Sequence, residues 1–165
     1  MLYLKLITLQ VFWYFAIKFG ANFVFPSFAF LILIIDFFLF FKQPNRQSYL
    51  IFSGFLILVG FLLDQCFHFL GAIEWGSQLY PFELLSVWII FPCYYHDVFI
   101  KFRDRLPIAF IIGFLFGPFA YFSGGNINDF ISIELSILKL LVLALGWGLF
   151  FFSSIYIFKK LVLRG

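Results

Sequence analysis

The chain has 165 residues, 64% hydrophobic and only 12% charged. A soluble domain carries about a quarter charged residues, and a monomer this small cannot bury such an apolar excess. A mean hydropathy of +1.07 therefore excludes a water-facing fold, and the net charge of +3 reads as a topology signal, not as a nucleic-acid surface.

A spanning helix needs about 20 mostly apolar residues. Six such stretches run through the chain, at roughly 4–21, 24–41, 49–70, 81–100, 107–123 and 133–158. The rest is too short for a soluble domain, so the predicted fold is all-α: one polytopic transmembrane helical bundle over 1–165. The runs 28–41 and 140–152 are apolar all round and do not alternate, which argues against a β-barrel. The thirty phenylalanines read as lipid-facing bulk.

The first span carries Gln10, Tyr14 and Lys18 four residues apart, a polar stripe along one face. It is a poor signal peptide, because Lys18 and Phe19 spoil the cleavage region. In the second span, Asp36 is expected to snorkel towards Lys42 or Arg46.

The third span is the most informative. Ser53, Ile57, Gly60, Asp64, His68 and Gly71 step by three or four, a small and polar stripe that should face other helices. Asp64 and His68 share that face. One reading is an acid/base pair, a carboxylate orienting an imidazole. The other is a pair reaching the interface or a neighbouring helix.

The fourth span opens at Pro81, with Glu83 in its first turn at the positive end of the helix dipole. Glu83 is thus either a helix-end carboxylate or a general acid near Asp64. Pro92 predicts a kink. His96 and Asp97 near the far end either bind a headgroup or end the span beside Lys101 and Arg103. The fifth span carries Gly113 and Gly117, a GxxxG spacing that predicts close helix packing. Gly117-Pro118 predicts a bend before Tyr121. In the sixth, Glu134 and Lys139 mark an interface or join a cavity.

Cys66 and Cys93 form no CxxC motif and lie towards opposite ends of their spans, so they read as structural filler. No metal-ligand spacing, phosphate loop or GxSxG element is present, and no metal or cofactor is expected.

Orientation follows from the cations. With both termini cytoplasmic, nine of the 11 Lys and Arg residues fall on the inner side. Lys18, Asp64, His68, Glu83, Tyr121, Glu134 and Lys139 then map to the outer half. This constellation is the sequence's candidate site, with Asp64, His68 and Tyr121 as catalytic candidates (Asp64 and His68 for acid/base work, Tyr121 or His96 to position the substrate) and His96, Glu83, Lys18 and Lys139 as substrate-binding candidates.

The chain also resembles the bacterial family of small membrane proteins known as domain of unknown function 2878. The matching residues are Gln10, Trp13, Gly20-Ala21, Asp64, Gly71, Pro81, Trp88-Ile89-Ile90-Phe91 and His96, followed by Gly113, Gly117-Pro118, Ala120-Tyr121, Gly124 and Gly146-Trp147. The resemblance implies a multi-pass bacterial inner-membrane protein. It also implies a lipid-related role, since members are encountered near genes of membrane fatty-acid modification. It adds weight to Asp64, His96 and Tyr121. Glu83 gains none, because relatives carry an aromatic residue there. A fainter likeness to small membrane lycopene cyclases rests on Asp64, Gly71 and Pro81-Phe82-Glu83, but their second glutamate is Leu84 here.

Three function classes remain. The first is an enzyme or enzyme partner acting on a hydrophobic lipid or isoprenoid among the membrane lipids. The second is a small transport or permeation protein, and the third a structural subunit.

Overall fold

The computed structural model describes residues 2–19, 24–40, 46–75, 80–127, 131–133 and 136–162. Among them are six helices: α1 (Leu2–Phe19), α2 (Val24–Phe40), α3 (Arg46–Phe69), α4 (Phe82–Phe102), α5 (Leu106–Ile127) and α6 (Ile137–Leu161). Three segments, Gln47–Phe69, Leu106–Ile127 and Ile137–Leu161, are long and apolar enough to cross a membrane. Their outward faces carry large apolar side chains such as Leu58, Phe119 and Leu149, each more than half exposed. Side chains of this kind suit lipid, and the protein is a membrane protein on this evidence. Segments Ile7–Phe19 and Val24–Asp36 are apolar but shorter. α4 is long enough, but it carries Glu83, His96, Asp97 and Lys101.

The packing depends on small residues. α5 lies tightly on α6. A Cβ on Gly117 would fall 2.1 Å from Trp147 Cγ, and one on Gly113 would fall 2.4 Å from the Trp147 carbonyl oxygen. The GxxxG spacing thus acts as close packing. The α3 stripe faces α4 as expected: Ser53, Gly60 and Asp64 are buried, and Gly60 receives the Trp88 indole. One core cluster is mostly aromatic, with Phe52, Phe99 and Phe158 in mutual contact.

Gly71 ends α3. Its φ is +65°, its N–H donates to His68 O, and Ala72 N–H donates to Phe67 O. This is a Schellman turn, in which the left-handed residue favours glycine. The chain then enters β1 (Ile73–Trp75), which pairs antiparallel with β2 (Ile131–Ile133), Ile73 opposite Ile133. The small ladder holds the α3–α4 and α5–α6 connections together at one end of the bundle. At the other end, Asp104 in the α4–α5 turn accepts from Lys159 of α6 at 2.6 Å.

Several sequence expectations change. α5 reaches Ile127, past the predicted end at 123. The sixth helix starts at Ile137, capped by Ser136, because the expected start at 133 is taken by β2. Asp36 accepts the Tyr49 hydroxyl, so it is tied to α3. Its expected partner Lys42 lies outside the described residues, as do Glu134 and the side chain of Arg46.

Candidate functional site

Asp64 is completely buried. A carboxylate inside a spanning helix costs about 2.5–3.5 kcal/mol on insertion scales, so its partners decide whether it is tolerated. Three donors meet it. Tyr121 of α5 donates to Oδ1. Tyr80, just before α4, and the Trp88 indole N–H of α4 both donate to Oδ2 at 2.6 Å. The arrangement satisfies an ionised carboxylate, and it joins α3, α4 and α5 through one side chain. Burial, and then the neighbouring Asp64 charge, push the Tyr80 phenol well above its ordinary range, so it stays a donor.

The same residues form a wall. A groove of about 580 Å³ is lined by α1, α4 and α5, together with Trp147 and Phe151 of α6. Trp88 and Tyr121 line it, so two of the three Asp64 donors separate the carboxylate from the groove. Trp147 stacks on Trp88, with centroids 5.4 Å apart and planes 14° apart. It also meets the Tyr121 ring at 6.1 Å. Along α4 the lining extends from Leu84 to Phe102, about 27 Å at helical rise. That length approaches the hydrocarbon thickness of about 30 Å. The volume is that of a site for a small ligand, and the lining is chiefly apolar.

The predicted site residues divide. Asp64 and Tyr121 come together. His68 takes no part in the described Asp64 hydrogen bonds. Its Nδ1 lies 3.2 Å from the Ile73 carbonyl oxygen, and its ring stacks on Trp75 with centroids 4.0 Å apart. Facing a carbonyl, Nδ1 carries the hydrogen, and His68 fastens α3 to β1. Glu83 is buried in the first turn of α4, 1% exposed. Its Oε2 has no partner among the described residues, and it does not line the groove. Lys18 is exposed. Its ammonium donates to its own helix neighbour, the Tyr14 hydroxyl, at 3.2 Å, and takes no part in the described Asp64 hydrogen bonds. The Lys139 ammonium lies beside Gly71, 3.2 Å from where a Cβ would stand, where a cation complements the C-terminal end of α3.

His96 belongs to a second polar group near the Lys101 end. Its Nδ1 is 3.6 Å from Asp97 Oδ1, and its ring meets Tyr49 and Phe158 edge-on. It lies two turns beyond Trp88 on α4, about 12 Å along the axis, and does not reach Asp64.

Sequence reasoning gave no role to Tyr80 or Trp88, the other two donors, or to Trp147. Trp88 and Trp147 stand among the residues that carried the family resemblance. Buried indole and phenol groups need partners, and that was the available signal.

No curated protein and no solved structure matches the chain. The profile of the family described as Protein of unknown function (DUF2878) matches residues 2–152, nearly the whole length, and the chain belongs to that family.

Proposed function

We propose that this protein is a six-span inner-membrane protein that holds one hydrophobic chain, from a lipid or an isoprenoid, in the groove between α1, α4 and α5. The observation that carries the proposal is the groove itself: chiefly apolar, nearly as long as the hydrocarbon layer is thick, and with a few polar groups on its wall, among them Tyr121 and the Trp88 indole. Both termini are placed on the cytoplasmic side. The excess of cations in the α4–α5 turn and the C-terminal segment supports that placement. So do the β1–β2 ladder and the Asp104–Lys159 pair, which gather alternate connections at opposite ends.

In this reading Asp64 is a positioning residue. It fixes the Tyr121 hydroxyl and the Trp88 indole while lying behind them. Tyr121, whose hydroxyl donates to Asp64, lines the groove together with Tyr95 and Ser123 and is this reading's acid/base candidate. His68 acts through structure, holding β1 against α3.

The test is to purify the full chain in a mild uncharged detergent and identify co-purifying lipids by mass spectrometry. Ala120, which lines the groove, is replaced by tryptophan to fill it. Wild type should retain a defined hydrophobic molecule that Ala120→Trp loses while remaining folded. The same lipid complement on both proteins would refute the proposal.

A further inference from the structure

The polar groups on the groove wall divide by what each already does. The Tyr121 hydroxyl and the Trp88 indole N–H both donate to Asp64, so neither has a hydrogen left for an occupant. Gln10 of α1 and Ser123 of α5 also line the groove, and among the described residues neither side chain enters a hydrogen bond. Gln10 is exposed and stands inside the apolar segment Ile7–Phe19, where a carboxamide without a partner costs free energy. Its amide offers two donor hydrogens and an acceptor oxygen.

The packing brings these two groups to one section of the groove. Trp13, one turn after Gln10, lies against α5: a Cβ on Gly124 would stand 3.7 Å from Trp13 Cζ2. Ser123 precedes Gly124, and Gln10 is only about 4.5 Å from Trp13 along the α1 axis. Tyr95 and Lys101 line the groove elsewhere, about 10 Å and 20 Å beyond Trp88 along α4. No charged side chain stands beside Gln10 and Ser123 in the described lining. Lys18, two turns after Gln10, donates to Tyr14 and does not line the groove. A charged head would therefore enter this section without a counter-ion.

Resting on the groove reading above, we infer that the occupant is a long-chain alcohol with its hydroxyl seated between Gln10 and Ser123 and its chain running along α4 towards Phe102. A hydroxyl both donates and accepts. It donates to Gln10 Oε1 and accepts from the Ser123 hydroxyl, so both uncommitted groups gain a partner. An ether oxygen accepts alone and leaves Gln10 Oε1 without a donor. For the chain, the lining from Trp88 to Phe102 offers about 21 Å of chiefly apolar wall.

The experiment measures binding of three probes with one chain length, hexadecanol, its methyl ether and palmitate. The full chain is used in uncharged detergent micelles, with native mass spectrometry as readout. Hexadecanol should bind roughly two- to tenfold more tightly than the ether, the worth of one hydrogen bond, and more tightly than palmitate. Gln10→Leu should bring the alcohol to the affinity of the ether and leave the ether unchanged, whereas Ser123→Ala should weaken the two alike. Equal binding of alcohol and ether to wild type, binding of palmitate as tight as that of the alcohol, a preference for the alcohol that survives Gln10→Leu, or an equal loss of all three probes in Gln10→Leu would overturn the inference while leaving the groove reading intact. If Ala120→Trp binds every probe as wild type does, the groove reading itself fails.

Discussion

Replacing Asp64 by leucine tests the buried junction most sharply when combined with Tyr121→Phe. Asp64→Leu strands the Tyr121 hydroxyl and the Trp88 indole N–H, both on nearly fully buried residues. Each stranded donor costs about 1–3 kcal/mol, so the single change should destabilise by about 2–6 kcal/mol. Tyr80 adds less, being only partly buried. Tyr121→Phe alone removes one hydrogen bond to a charged group, about 1.5–3 kcal/mol, and leaves the carboxylate with two donors. In the Asp64→Leu background the same change removes a stranded hydroxyl, so it should be neutral or stabilising. The double variant should therefore be less damaged than the sum of the singles by at least about 1.5–3 kcal/mol. Unfolding by a denaturing detergent in mixed micelles, followed by circular dichroism, gives the three differences. Additivity within about 0.5 kcal/mol would mean that Asp64 does not hold Tyr121, and the positioning role would be lost.

Two other outcomes follow from the packing and the charges. Gly117→Leu drives a side chain into Trp147, whose Cγ lies 2.1 Å from the position of a Cβ; overpacking of this kind costs about 1–3 kcal/mol, and the variant should unfold earlier, whereas Gly54→Leu, with open space around it, should not. The Lys159 ammonium, hydrogen-bonded to Asp104, holds that carboxyl below its ordinary range. The stabilisation it gives the α4–α5 turn is complete above the ordinary carboxylate pKa and is lost as pH falls through the lowered one, so Asp104→Asn should remove a small, salt-sensitive part of the acid response of hydrogen exchange in this turn, and an unchanged acid response would contradict the pairing.

The helices were legible because a lipid-facing run has to be apolar on every side, and such runs show in the sequence by length alone. The small and polar stripe on α3 was legible too, since Gly60 and Asp64 fall on one face at helical spacing. What the stripe meets was not. The donors to Asp64 lie 16, 24 and 57 residues away, and no local period connects them. His68 shows the opposite failure. Its spacing suggests Asp64, but the turn at Gly71 folds Ile73 and Trp75 back onto α3, and these nearer groups engage the imidazole. The strands of three residues are too short to display an alternating pattern. Lys18 was assigned to the site from its depth along α1, but depth says nothing about rotation around the helix axis, which turns it to the exposed side.

The central claim is that one hydrophobic chain occupies the groove between α1, α4 and α5 and lies against Trp88 and Tyr121. Its most direct test is photolabelling in bilayers with a hexadecanol that carries a diazirine near its hydroxyl end, followed by peptide mapping. Labelling concentrated on groove residues such as Leu84, Val87 and Tyr121 is the expected result. Labelling spread equally over the outward faces, at Leu58, Leu115 and Leu149, would contradict the account.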